Sequence, residues 1–228
     1  MANDFFRFKR FTVWQSRCAM KVGTDGTLLG AWANGGRRIL DIGTGTGLIA
    51  LMMAQRFPEA ELTGIDIDAE ACLQAKENVE ASPFEVEILQ RNVADMEGAF
   101  DAIVSNPPYF DRSLECPDVQ RTMARHTSSL SYAELMRHAW RLLTDEGELS
   151  VVIPADCKDR LESEAVLTGF FKVRECAVRT TPKKAPRRYL LAFRKHPAER
   201  LERQEGVIED APNLRSAWYR QLTCEFYL

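Results

Sequence analysis

Along this chain, short and almost wholly apolar runs alternate with longer stretches in which apolar residues recur every three or four positions. That is the pattern of a parallel α/β sheet whose strands are joined by helices. Strands are predicted over 38–42, 61–65, 85–89, 100–104 and 147–153, with a closing pair over 171–178 and 189–195 joined by the basic loop 179–188. Helices are predicted over 48–56, stopped by Phe57-Pro58, over 69–81 behind Asp68 as N-cap, and over 131–143, where Ser131 and Glu134 form a capping box. Residues 11–33, with Leu28, Leu29 and Trp32 on a core face, read as a capping helix. No repeat, low-complexity tract or linker interrupts the series. Residues 1–228 are therefore expected to form one domain, with 1–35 as an N-terminal cap and 36–228 as the α/β core.

Composition narrows this only a little. At 45% hydrophobic and 28% charged residues, the chain is an ordinary globular protein. Its net charge of -3 sets up no overall field for nucleic acid, so any such partner has to be met by a local basic face. The six cysteines, Cys18, Cys72, Cys116, Cys157, Cys176 and Cys224, are scattered without metal-ligand spacing, and they read as reduced thiols with no metal expected. The first residues lack the charged and apolar regions of a signal peptide, and no apolar run is long enough to span a membrane, so a cytoplasmic protein is expected.

The first predicted strand runs into Asp41-Ile-Gly-Thr-Gly-Thr-Gly47 and then into a helix. Gly43, Gly45 and Gly47 let backbone N–H groups and a helix N-terminus come close to a ligand. Such a turn alone also suits dinucleotides. Asp41, two residues before the first glycine, is poorly placed for a pyrophosphate and better tolerated by a cationic ligand. Asp66, at the end of the next strand, can accept both hydroxyls of a ribose.

The most specific stretch is Ala102-Ile-Val-Ser-Asn-Pro-Pro-Tyr109, where an apolar strand enters Asn106-Pro107-Pro108-Tyr109. The prolines fix the backbone and leave carbonyl oxygens free to accept. Asn106 and the carbonyl of Pro107 can together grip an N–H₂ group, and Tyr109 offers an aromatic face to a planar substrate. An amide-like or aniline-like nitrogen is a weak nucleophile because its lone pair is delocalised. Two acceptors on its hydrogens concentrate that lone pair, and in-line positioning can contribute about 7–11 kcal/mol when geometry is near ideal.

The glycine loop with Asp41 and Asp66 resembles motifs I and II of the class I S-adenosylmethionine-dependent methyltransferases, a likeness extending over roughly residues 38–155. Asn-Pro-Pro-Tyr resembles motif IV of the amino methyltransferases. The resemblance implies a Rossmann-like fold, with a seven-stranded, mostly parallel sheet containing one antiparallel strand and helices on both faces. It also implies S-adenosyl-L-methionine as cofactor. Where that family usually places an acid on the cofactor's adenine, this chain has Asn92, with Asp95 three residues on, and the choice between them stays open.

Residues 11–32 and the terminal Cys224-Glu-Phe-Tyr-Leu228 are similar to the bacterial tRNA(Val) adenine-N6 methyltransferase family. That likeness implies that Thr24 and Asp25 neighbour the cofactor, and that the substrate is the adenosine 3′ of the anticodon. About 35 residues precede the first strand, too few for the separate domain of a glutamine N5 enzyme, and the duplicated domain of many guanine N2 enzymes is absent. Both nonetheless remain alternatives, together with a non-catalytic RNA-binding module. Basic residues cluster at the N-terminus (Arg7, Lys9, Arg10, Arg17, Lys21) and in the closing hairpin (Lys172, Arg174, Arg179, Lys183, Lys184, Arg187, Arg188, Arg194, Lys195), and both clusters suit RNA. Tyr109 is the expected stacking partner of a splayed base and Phe110 a wall of its pocket, while Arg125-His126 is either a further RNA contact or the partner of an acid.

Overall fold

A computed structural model describes residues 4–18, 21–108 and 130–227 of the chain. Two short strands, β1 (Phe5–Arg7) and β2 (Thr12–Trp14), pair as an antiparallel hairpin ahead of helix α1 (Thr24–Trp32). Eight strands then form the central sheet: β3 (Arg38–Ile42), β4 (Glu61–Asp66), β5 (Glu87–Gln90), β6 (Phe100–Ser105), β7 (Leu143–Pro154), β8 (Phe171–Arg179), β9 (Arg188–Arg194) and β10 (Glu202–Val207). Their order is β10-β8-β9-β7-β6-β3-β4-β5, and β9 alone among them runs against its neighbours.

The alternation of side chains along β3 shows how the layers are made. Ile39 points to one face and Leu40 and Ile42 to the other, as a period of two requires. On the Leu40 face lie α4 (Tyr132–Leu142) and α5 (Lys158–Thr168), contributing Tyr132, Leu135, Met136, Ala139 and Leu161. On the Ile39 face lie α1 and α2 (Leu48–Arg56), contributing Leu28, Leu29, Trp32, Ile49 and Met53. Helix α3 (Ala69–Glu80) packs near the β4–β5 edge through Cys72 and Ala75.

Several sequence expectations are adjusted here. The capping helix is confined to Thr24–Trp32, and the residues before it fold back as the β1–β2 hairpin, because Phe8, Phe11 and Val13 bury against Phe226 from the far end of the chain. The sheet has eight strands rather than seven. The addition, β10, is an edge strand paired parallel to β8, and its Glu202-Arg-Gln-Glu205 run is exposed, so it carries no apolar alternation to read. Helix α4 ends at Leu142 and β7 begins at Leu143 without a loop. A small hairpin, β11 (Glu209–Ala211) with β12 (Leu214–Arg215), and α6 (Ala217–Thr223), N-capped by Ser216, complete the described chain. Among the described residues no helix is long and apolar enough to cross a membrane, and the described cysteines are free thiols.

Candidate functional site

Beyond the C-terminal ends of β3, β4, β5 and β6 lies a cleft of about 1000 Å³, where open α/β sheets bind ligands. The glycine loop forms its floor. Gly43, Gly45 and Gly47 have φ of 74°, 54° and 79°, a left-handed region that glycine adopts without strain. A Cβ on Gly43 would meet nothing within 4 Å, so the loop offers bare backbone and open space, a cradle that side chains would fill. Gly47 does not line the cleft; a Cβ there would only touch Ala75 at an ordinary 3.4 Å, and glycine is called for by the left-handed φ with which it caps α2.

The loop is tied down by polar contacts. The N–H groups of Gly43 and Thr44 both donate to the Ile65 carbonyl at 2.9 Å. Asp66 Oδ2 accepts from Gly45 N at 3.0 Å and Oδ1 from Asp68 N at 3.0 Å. Each carboxylate oxygen keeps a further lone pair for a ligand hydroxyl. Asp41 does not line the cleft. It is fully buried beneath the loop, where its Oδ2 accepts from Thr44 Oγ1 at 2.8 Å. Burial pushes its carboxyl up to about 7, against the smaller lowering from Thr44. Asn78 Nδ2, itself buried, donates to Thr46 O and Trp14 O at 2.8 Å each, while its Oδ1 accepts from Trp14 N at 2.8 Å.

The remaining predicted residues divide clearly. Thr24 and Asp25 line the cleft from the first turn of α1, where Asp25 pairs with Arg188 at the start of β9. Asn92 lines the cleft while accepting from Ala94 N at 2.9 Å, and Asp95 does not line it. Arg141 holds this segment to α4 through the carbonyls of Met96 at 2.7 Å and Val93 at 3.1 Å. At the end of β6, Ser105 Oγ donates to Ile42 O at 2.8 Å, fixing the strand terminus that presents Asn106, Pro107 and Pro108 to the same cleft. Tyr109, Phe110, Arg125 and His126 lie outside the described residues.

Sequence reasoning missed a polar wall on α4: Glu134, Arg137 and His138 turn toward the cleft, with Leu135, Met136 and Ala139 in the core. Their i, i+3, i+4 spacing on an amphipathic helix was the available signal. Burial, followed by Arg137 and Arg141, lowers the His138 pKa, whereas hydrogen bonds from Ser131 lower that of Glu134. The cleft thus combines a bare-backbone cradle, a carboxylate for a diol, an amide beside it, apolar walls from Ile42, Ile65 and Ile67, and a rigid Asn-Pro-Pro edge. This donor set fits a nucleoside carrying an amino-acid tail, as expected of S-adenosylmethionine.

Residues 22–182 match the methyltransferase small domain family. The chain is 48% identical, over 100% of its length, to the tRNA1(Val) (adenine(37)-N6)-methyltransferase of Bacteroides thetaiotaomicron, of which it covers 99%. The protein of the same name from Phocaeicola vulgatus is likewise 48% identical over 100% of this chain and 99% of its own. Among solved structures, a predicted O-methyltransferase from Agrobacterium tumefaciens has a TM-score of 0.70 at 20% identity, over 89% of this chain and 96% of that one, a likeness that bears on fold alone.

Proposed function

The chain belongs to the methyltransferase small domain family, and we propose that it transfers a methyl group from S-adenosylmethionine to N6 of an adenine in tRNA, the adenosine 3′ of the anticodon in tRNA(Val). Its fold is the Rossmann-like one of class I methyltransferases. The observation that carries the reading is that Asn106-Pro107-Pro108 opens onto the same cleft as the glycine loop, in a chain nearly half identical to the relatives above from end to end. The whole chain works as one methyltransferase domain in the cytoplasm, with residues 1–35 as its cap.

S-adenosylmethionine, when bound, supplies a methyl group activated on a sulfonium. The protein's part is to hold and orient. Gly43 and Gly45 admit the ligand to bare backbone, Asp66 takes the ribose hydroxyls, and Asn92 is the reading for the adenine amino group. Thr24 and Asp25 close the site from α1. Asn106 Oδ1 and the Pro107 carbonyl accept the two N6 hydrogens, favouring a pyramidal nitrogen whose lone pair is withdrawn from conjugation with the ring and concentrated toward the methyl group, and Tyr109 stacks on the splayed base. No base is needed before transfer, because the methylated nitrogen's extra proton is acidic enough to leave to solvent.

Asn106→Ala should lower methyl transfer about 10²–10³-fold, the size typical of deleting one preorganised partner of a reacting group. Cofactor affinity, read by calorimetry, should stay near wild type. The assay is radiolabelled S-adenosylmethionine with tRNA from a strain lacking the enzyme, followed by nucleoside analysis. Label in N6-methyladenosine supports the reading. Label only in ribosomal RNA guanine or in a release-factor glutamine would replace the substrate, and a wild-type rate in the variant would remove Asn106 from its role.

A further inference from the structure

One surface outside the cleft is not used by the chemistry above. In the β1–β2 hairpin, Phe5 lies directly across from Trp14 and Arg7 across from Thr12, so all four project from one face. The opposite face, Phe6 and Val13, packs inward with Phe8 and Tyr227. The outer rings touch, with centroids 5.0 Å apart, yet Phe5 is 41% and Trp14 45% exposed. Two large aromatics left half in water on a hairpin are a cost to a protein without a use for them.

Charge around the pair selects the use. Arg7 is exposed and has no ion-pair partner among the described residues, Lys9 and Arg10 are exposed at the turn, and Arg17 follows β2. Against these stand Asp4 and Glu77; the latter pairs with Arg17 at 3.1 Å, so those two charges offset each other and the basic surplus rests on Arg7, Lys9 and Arg10. The hairpin is also fixed relative to the cleft. Asn78 grips both backbone groups of Trp14, and four residues beyond, Cys18 lines the cleft, so the two positions lie within about 14 Å along an extended chain.

We propose that the outer face of the hairpin is a stacking platform for an unpaired base of the RNA substrate, a neighbour of the base being methylated, with Arg7 meeting its phosphate. The proposal rests on the tRNA reading. Aromatic faces accept any base, and a loop whose target nucleotide has been splayed out must set its neighbours down somewhere. A rigid pair beside the cleft holds the opened loop in place while Asn106 engages the target. A second copy of this chain would not need the isolated cation, and an aromatic patch with a cationic rim is complementary to nucleotides.

The test compares Trp14→Leu, which keeps apolar bulk, with Trp14→Phe, which keeps a ring. Binding is measured with the tRNA that the wild-type protein methylates. Trp14→Leu should raise both Kd and KM for tRNA at least about fivefold, Trp14→Phe should restore most of the loss, and cofactor affinity and thermal midpoint should stay as in wild type. Equal tRNA affinity in Trp14→Leu and wild type would overturn the platform, as would a Trp14→Leu change in sedimentation that converts a dimer into a monomer. Failure of the wild-type protein to methylate tRNA would instead overturn the underlying reading, so the two failures are separable.

Discussion

Asp41 and Asp66, both acids of the glycine-loop region, have diverged into different physical roles. Asp66 sits at the cleft with two backbone donors, whereas Asp41 supports the loop from below, out of contact with water. Because burial raises the Asp41 carboxyl to about 7 in the fold, against an ordinary value of 3.8, the folded state binds an extra proton between those values. Its stabilising effect is therefore greatest at low pH and is lost as pH rises through about 7. Asp41→Asn keeps an acceptor for Thr44 and removes the titration, so the fall in thermal midpoint between about pH 5 and pH 8 should be smaller in the variant than in wild type. Parallel profiles would mean that Asp41 is charged in the fold. The sequence made both acids legible as a motif but not their division, because whether a carboxylate at a strand end faces solvent or the helix behind depends on the alternation of that strand and on Thr44. That Glu134, Arg137 and His138 border the cleft escaped notice for a related reason: a polar helix face looks the same whether it borders bulk water or a binding cleft.

Elements whose patterns are local were legible. The capping box at Ser131–Glu134, the Asp68 cap and the parallel strands all fell within a few residues of their observed bounds. The N-terminal hairpin and β10 depend on partners distant in sequence, Phe226 for the first and β8 for the second, and no local periodicity encodes them. The closing strands show the same dependence in their charges. Glu148 on β7 is only 4% exposed and accepts from Arg174 of β8 at 2.9 Å, from Arg194 of β9 at 2.8 and 3.0 Å, and from Asn34 beyond α1 at 3.4 Å. Arg174 in turn lies 3.9 Å over the Trp32 ring. One carboxylate thus pins three strands and a helix. Removing it leaves the nearly buried Arg174 with only the long 3.9 Å pairing to the half-exposed Glu202, while Arg194 is 41% exposed and recovers water. Glu148→Ala should therefore cost about 3 kcal/mol, the low end for a broken buried pair, read as a lower denaturant midpoint at unchanged slope.

At the scale of the whole molecule, the basic hairpin expected to meet RNA resolves into two populations. Lys172, Arg174, Arg188 and Arg194 are engaged with Glu162, Glu175, Glu148 and Asp25 and hold the fold together. Lys183, Lys184 and Arg187, at the tip beside the cleft-lining Arg188, are exposed and without ion pairs among the described residues. Replacing these three by alanine should weaken tRNA binding and reduce the slope of log K against log salt by about 2, at roughly 0.7 per phosphate contact on single strands. An unchanged slope would send the RNA elsewhere on the surface. The carboxamide of Asn78, finally, belongs at once to the hairpin and to the floor of the cleft. Any shift of this shared anchor on RNA binding would link the two events, and reciprocity would then demand that the factor by which RNA alters grip on the methyl donor equal the factor by which the donor alters grip on RNA. A side chain that touches neither reactant would then set how strongly each one favours the other.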